Sequence, residues 1–436
     1  MSKLRTQPYR GTRDFLPEEM SVRLQIFDKL YRVVETFGYV RYDGPVLEPM
    51  ELYEAKSGQE LVSEQLFSLI DRGERRLALR PEMTPTVARM VAANRGALAF
   101  PIRWYSHPNC FRYERPQRGR VREHWQINVD MFGSESPGAE AEIFTLIHRM
   151  MEALGAAKED YLLRVSDRML METAFRNYPE IIDEQMKLVF SVLDRWEKVE
   201  IDVSRKVLAE AGLSDLQIVR VEEIIGLGLG DIVEIVGEEI AKTSPVVSIL
   251  RDELIQDSIS FDPLIARGFE YYTSTVFEVF DVIAENRRAL FGGGRYDNLV
   301  ALFSDERIPG IGFGMGDVTL VNFLESRGLL PQPNITADVE VIVGEGGALR
   351  PVLWEVLNRL RKAGLRTTTP PEQQGVGKQL KRVAKRGIPV VVMIQGNEWE
   401  RGTVIVRDMN RTQQSEVTLD ALVAVIRSII ATESLT

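Results

Sequence analysis

One stretch limits the possible folds more than any other. In EHWQINVDMFG (123–133), Trp125, Ile127, Val129 and Met131 fall on one side of an extended chain, and His124, Gln126, Asn128 and Asp130 fall on the other, because strand side chains alternate with period two. Such a segment needs a sheet with an apolar core under one face. Taken alone, its polar face suits either a solvated sheet surface or the lining of a binding site.

From Ile102 to Gly133, two extended runs flank the polar link ERPQRGRVR, the pattern of a long hairpin. The link and its approach hold Arg112, Glu114, Arg115, Gln117, Arg118, Arg120 and Arg122, with five arginines within eleven residues. A guanidinium presents a planar fork that matches phosphate oxygens in pairs. The loop therefore suits a triphosphate or the end of an RNA strand, the plainer reading being solvated surface arginines.

The rest of the chain can be organised around this hairpin. Residues 20 to 37 place apolar and charged side chains at helical spacing, and GYVRYDGPVLEPMELY then turns extended, with Pro45 unsuited to a helix interior. From Glu140 to near Gly155, the residues Ile143, Leu146, Ile147, Met150, Met151 and Leu154 recur at helical steps. Between about 170 and 256, Glu, Leu, Val and Ile recur at helical spacing, broken at GLGLG (226–230) and without a polar cluster of catalytic type. This stretch is expected to be a helical insertion. Extended character returns in IARGFEYYTSTVFEVF, FGGGRYD and GIGFGMG, so the first domain, residues 1–330, is expected to be discontinuous, interrupted over 170–256. LLPQPNITAD (329–338) reads as a linker. Beyond it, VEVIVG, LRTTT, IPVVVMIQG and TVIVRD alternate with helical segments, predicting a small α/β domain over 338–436 with a mainly parallel sheet.

Composition narrows the function. A chain of 436 residues with 44 % hydrophobic and 27 % charged residues has the make-up of a globular protein with a sizeable core. Its formal net charge of -10 excludes a protein that coats nucleic acid indiscriminately, since that affinity rests on phosphate neutralisation by Lys and Arg. Local basic patches remain available for an RNA partner. The single cysteine, Cys110, cannot form an intramolecular disulfide, and histidines at 107, 124 and 148 offer no zinc-ligand spacing, so no protein-bound metal is expected. MSKLRTQPYRGTRDF lacks the apolar run of a signal peptide, and nothing approaches the ~18 apolar residues of a membrane span. The expected compartment is the cytoplasm.

FRYERPQRGRVREHWQ resembles the motif 2 hairpin of class II aminoacyl-tRNA synthetases, in the variant found in histidyl-tRNA synthetases. FR-x-E is widespread in that class, whereas RPQ-x-GR-x-RE is far more specific. Other segments resemble the same family in the same order. GYVRYDGPVLE resembles motif 1, whose proline (Pro45) lies at the dimer interface, and ALRPEMTPTVAR resembles the amino-acid-binding RPE-x-T segment. IARGFEYYTSTVFEVF is similar to the histidine-specific RG-x-(D/E)-YY motif, and FGGGRYDNL to the glycine-rich GGRYD loop. The resemblance runs from Arg10 to the C-terminal helix. It implies an α/β protein in which a class II antiparallel sheet is flanked by helices, with a helical insertion and a C-terminal mixed α/β anticodon-binding domain.

What the resemblance implies chemically is a homodimer that activates L-histidine with ATP, releasing pyrophosphate, and then esterifies the amino acid to the 3′-terminal ribose of tRNA(His). The α-ammonium of histidine needs acceptors, which Glu82, Thr84 and Gln126 would supply. The neutral imidazole offers one donor and one acceptor, matched by Asp130 and the Tyr272 hydroxyl, with Tyr271 beside them. A pocket bonding both ring nitrogens rejects apolar amino acids strongly, because they leave its polar groups unpaired. Attack of the carboxylate on the α-phosphorus builds negative charge, so catalysis is positioning plus electrostatics. Arg112 is expected at the α-phosphate and Glu114 near the adenine or the amino acid. Arg267 is expected to touch α-phosphate and carboxylate together, where other class II enzymes put a metal ion. Arg120 and Arg295 complete the expected ATP contacts, with magnesium on the β- and γ-phosphates. For transfer, Arg115, Gln117 and Arg118 are expected at the tRNA end.

Two glycine segments approach nucleotide fingerprints without completing them. GIGFGMGD has the spacing G-x-G-x-G-x-G with no acidic residue about 20 positions on, and GVGKQ lacks the Ser or Thr that follows a phosphate-loop lysine. By family position GIGFGMGDVTL is motif 3, usually G-(L/M)-E-R-L, and here the chain departs from the pattern: Asp317 stands for the arginine and Gly316 for the glutamate. A carboxylate cannot hold a γ-phosphate. Arg295, Arg307 or Arg327 is expected to supply that charge instead.

In GVGKQLKRVAKRG, the residues Lys378, Lys381, Arg382, Lys385 and Arg386 share one helical face, with Leu380, Val383 and Ala384 on the other. A solvated face explains such a stripe. Resemblance of the surrounding sequence to the family's anticodon-binding domain points instead to tRNA contact by Lys378, Lys381 and Arg382. Other classes fit less well. The regulatory paralogue of ATP phosphoribosyltransferase binds histidine as a signal but generally lacks this C-terminal domain and parts of the catalytic constellation. A proline or threonine synthetase leaves RGFEYY and the Gln126 and Asp130 pair unexplained, and a pure RNA-binding protein has no need of an acidic pocket.

Overall fold

Ile26, Leu30 and Val34 lie four residues apart on the helix Pro17–Thr36 and are buried, together with Phe27, in the largest apolar core of the molecule. The structure, a computed structural model, describes residues 4–54, 65–117, 119–251, 259–266, 271–283, 289–334, 337–344, 350–370 and 375–433. The described residues form two compact units, 1–332 and 333–436.

In the first unit that core lies against a mixed sheet. Its strands run in the order Val40–Arg41, Ile102–Ser106, Glu123–Phe132, Gly310–Gly316, Ala289–Arg295, Thr275–Asp281, Tyr161–Asp167 and Ile259–Phe261. The short strand Asn109–Phe111 also pairs with Glu123–Phe132. All the inner pairings are antiparallel, and the pairs at the two edges are parallel. The helix Gly138–Ala153 buries Ile143, Leu146, Ile147, Met150 and Met151 on the same core, as their spacing predicts. The long hairpin is present, with Ile102 opposite Phe132 and Phe111 opposite Glu123.

Helices dominate from Arg168 to Leu250, starting with Arg168–Asn177 and Asp183–Leu193 and ending with Pro245–Leu250. They enclose a separate apolar cluster that includes Leu170, Phe175, Val189, Leu208, Val221 and Ile232. At the glycine-rich break one helix ends at Ile225 and the next begins at Leu229.

The second unit holds a five-stranded sheet in the order Thr367–Thr368, Val339–Val343, Val390–Ile394, Thr403–Asp408 and Gln413–Thr418. The first two pairings are parallel and the last two antiparallel, so the sheet is mixed where the alternation of strands and helices predicts a mainly parallel one. The unexpected strand is Gln413–Thr418. It is an edge strand exposed at every position except Val417, so it carries no apolar alternation to announce it.

Candidate active site

The strand Glu123–Phe132 is buried on both faces over most of its length. Ile127, Val129 and Met131 enter the core, while Gln126, Asn128 and Asp130 are 8 %, 3 % and 1 % exposed. The polar face is therefore no solvated surface. Across from it, in register, stand Gly316, Gly314 and Gly312. A Cβ at Gly314 would meet Gln126 Nε2 at 3.3 Å, and one at Gly312 would meet Asp130 Oδ1 at 2.7 Å and the Val129 carbonyl at 2.3 Å. The alternating glycines of GIGFGMG thus let the polar side chains of one strand lie across its neighbour.

The walls come from distant segments. Arg80, 3 % exposed, donates from Nη1 to the Gly44 carbonyl at 2.7 Å and from Nε to the Asn109 carbonyl at 2.9 Å, which fixes the RPE turn against the segment around Pro45 and the hairpin. Arg112 Nε donates to the Pro81 carbonyl at 3.0 Å. The Tyr271 hydroxyl donates to Glu82 Oε2 at 2.8 Å. Glu82, Thr84, Arg112, Gln126, Tyr271 and Tyr272 line one pocket, whose floor is the backbone of Gly292, Gly312 and Gly314. Asn128, Tyr296 and Phe313 complete the lining, and Gln126 Nε2 donates to Asn128 Oδ1 at 2.7 Å.

Asp130 does not line this pocket. It lies one layer behind, where the Tyr296 hydroxyl donates to its Oδ1, so Tyr296 stands between Asp130 and the pocket. Burial pushes the Asp130 carboxyl up to about 7 and the Tyr296 hydroxyl well above its usual range. Three tyrosines, Tyr271, Tyr272 and Tyr296, line the pocket, and Asp130 bonds the third of them from behind. Tyr296 was overlooked although the same alternation marks it, since Gly292, Gly294 and Tyr296 share a face. Tyr272 packs over Gly294, where a Cβ would stand 2.6 Å from its Cδ1.

Each of the three arginines expected to replace a motif 3 cation holds carboxylates in this arrangement. Arg295, one position out of phase with the pocket face, is 2 % exposed and grips both oxygens of Glu140 at 2.6 and 2.7 Å. Arg307 pairs at the surface with Glu135 and Asp297, and Arg327 pairs with Asp281 and Asp160. Asp317 is also turned away. Fully buried at the start of the helix Asp317–Ser326, it pairs with Arg13 and Arg23 and accepts the Trp125 N–H at 3.1 Å. Arg112 is the one guanidinium lining the pocket among the described residues.

In the hairpin loop Glu114 pairs with Arg120 at 3.2 Å, while the backbones of Gln117 and Arg120 bond each other in both directions. Arg115, Gln117 and Arg120 are exposed. Arg118 and Arg267 lie outside the described residues.

In the second unit, the helix Val376–Lys385 exposes Lys378, Lys381 and Lys385. Arg382 and Arg386 instead converge on Glu340, which is fully buried in the strand Val339–Val343, with Arg386 at 2.6 Å. Two of the five cations on that face are thereby committed to their own fold. Gln379 and Val383 form the inner side, and Ala384 is exposed rather than packed.

Residues 11–318 match the family profile described as histidyl-tRNA synthetase. The chain belongs to the histidyl-tRNA synthetase family. Residues 338–429 match the profile of an anticodon binding domain. A histidine–tRNA ligase of Leptospira biflexa is 39 % identical over 424 residues, covering 94 % of this chain and 95 % of the relative. One from Opitutus terrae is 36 % identical over 441 residues, covering 98 % and 99 %. The crystal structure of histidyl-tRNA synthetase from Nostoc sp. superposes with a TM-score of 0.79 at 26 % identity, covering 98 % of this chain and all of that one. As a histidyl-tRNA synthetase, the enzyme activates L-histidine with ATP and then transfers it to the 3′-terminal ribose of tRNA(His). Among the described residues no helix is long and apolar enough to cross a membrane.

Proposed function

We propose that histidine and ATP meet in the pocket beneath Arg112, with each lining residue holding one part of the reacting pair. Glu82, Thr84 and Gln126 take the α-ammonium. The Tyr272 hydroxyl donates to one imidazole nitrogen, and the Tyr296 oxygen accepts from the other while its own proton faces Asp130. As the histidine carboxylate attacks the α-phosphorus and the bond to pyrophosphate breaks, Arg112 neutralises charge gathering on the non-bridging oxygens. Arg267, by its place in RGFEYY, takes the carboxylate and the α-phosphate together. Magnesium enters as part of the ATP substrate, on its β- and γ-phosphates. Glu114 and Arg120 are the loop's nucleotide contacts, and Arg115, Gln117 and Arg118 receive the tRNA end.

The observation that carries this reading is the convergence of Glu82, Arg112, Gln126, Tyr271 and Tyr272, from separate segments of chain, on one pocket. Exchange of pyrophosphate into ATP, run with each of the twenty amino acids, tests it. Activity is expected with histidine alone. Gln126→Ala should raise KM for histidine, and Arg112→Ala should lower kcat by roughly a hundred-fold or more. Exchange that is indifferent to both substitutions would remove the pocket from the chemistry.

The assembly belongs to the same proposal: a cytoplasmic homodimer joined around Pro45, with residues 338–436 holding the anticodon. In support, Pro45 is exposed, and Val46 together with Leu47, Leu69 and Ile70 of the adjoining small sheet are 38 %, 45 %, 41 % and 72 % exposed, a concentration of apolar surface suited to a protein partner.

A further inference from the structure

Residues 9–15 precede the first helix and fold back onto the stem of the hairpin loop. The Gly11 carbonyl accepts from the N–H of Arg122 at 2.6 Å and from that of Glu123 at 3.3 Å. Arg122 Nη1 donates to the Tyr9 hydroxyl at 2.6 Å, and its guanidinium lies 5.2 Å from the Tyr9 ring and 4.1 Å from the Tyr113 ring. At Gly11, φ is 89° and a Cβ would stand 2.8 Å from Arg122 Cγ, so the segment lies flat on the stem only without a side chain there. Arg122 in turn closes the loop. Its carbonyl accepts from the Arg112 N–H at 3.0 Å, and its Nε donates to the Glu114 carbonyl at 3.2 Å.

Two residues after Gly11 the segment is anchored. Arg13 reaches Asp317 at 2.8 Å and the Glu123 carbonyl at 3.4 Å. Asp317 also holds Arg23 from the first helix and the Trp125 N–H. The Arg23 guanidinium is enclosed by the rings of Phe15, Phe27 and Trp125 at 4.6, 5.2 and 4.5 Å. A carboxylate in the first turn of the helix Asp317–Ser326 is favoured by the helix dipole. With both guanidiniums in place it is also neutralised away from the nucleotide.

We propose that Tyr9, Gly11 and Arg13, anchored through Asp317, form a clasp that holds the loop from Arg112 to Arg122 in the position that receives ATP. Arg13 and Asp317 are then positioning residues, and the acidic side chain at the start of that helix serves the clasp. The inference rests on the reading of the loop as an ATP contact.

The test is pyrophosphate exchange by the full-length enzyme, with KM for ATP and for histidine measured separately and thermal melting alongside. Arg13→Ala is expected to raise KM for ATP by roughly five-fold or more while KM for histidine stays within about two-fold. Arg13→Lys, which keeps the charge, restores most of the loss. Tyr9→Phe removes a single hydroxyl and gives a smaller shift in the same direction, so the question stays answerable if Arg13→Ala folds poorly. Arg120→Ala separates the two ideas. If it raises KM for ATP while the Arg13 and Tyr9 variants do not, the clasp is wrong and the loop reading stands. If Arg120→Ala also leaves KM for ATP unchanged, both fall. A parallel rise of both KM values that follows a drop in Tm would likewise overturn the proposal.

Discussion

A carboxyl enclosed like that of Asp130 is harder to ionise in the fold than in water. With its pKa pushed up from the usual 3.8 to about 7, the folded protein keeps a proton that the unfolded chain has released. The resulting stability is complete below about pH 4 and is lost as pH rises through about 7. Asp130→Asn has no charge to gain, so its Tm relative to the wild type should increase from pH 4 to pH 8, as melting at matched ionic strength would show. The three histidines act in the opposite direction, since burial holds His107 and His124 down to about 3 and His148 down to about 4. Their contribution is present above about pH 6.5 and fades as pH falls towards 3. In front of Asp130, Tyr296→Phe should lower kcat/KM for histidine by about ten- to a hundred-fold, the worth of one buried hydrogen bond to a polar substrate, with KM for ATP unchanged. Period-two alternation made Gln126 and Asp130 legible in the sequence, and the same count from Gly292 leads to Tyr296. The partners of Asp317 were not legible, because Arg13 and Arg23 lie 304 and 294 residues away along the chain and no local pattern links them.

The helix Val376–Lys385 shows how one stripe of like charges divides into two kinds. Its lysines project into solvent, whereas Arg382 and Arg386 satisfy a carboxylate that has no other way to be buried in the strand Val339–Val343. Replacing Lys378, Lys381 and Lys385 together by alanine should weaken tRNA binding and flatten its salt dependence, leaving Tm and histidine-dependent exchange near wild type. Arg382→Ala should instead cost about 1–3 kcal/mol in denaturant unfolding, because Glu340 loses one of its two partners. Helical spacing revealed the stripe but is blind to what a neighbouring strand presents beneath it. The same limit explains the strand Gln413–Thr418, whose place in the sheet comes from its pairing with Thr403–Asp408 and not from apolar residues of its own.

For the whole molecule, the order of motifs along the chain conveyed the architecture more fully than any single element did, because each motif belongs to a segment whose place in the class II sheet is set by the others. The extended run after Gly38 was legible as a strand, but its parallel pairing was not, and the parallel edge strand Ile259–Phe261 is too short to carry a pattern. If the chain pairs through its small exposed sheet, Leu47→Glu combined with Ile70→Glu should halve the mass measured by light scattering and remove exchange activity. A monomer that retains full activity would contradict that assembly. The glycine floor, finally, bears on how such an enzyme can change its diet. Main chain offers no side chain to trim, and a methyl group added at Gly312 would strike the Val129 carbonyl and the Asp130 carboxyl, so drift towards another amino acid is channelled into the tyrosines and Gln126 above the floor.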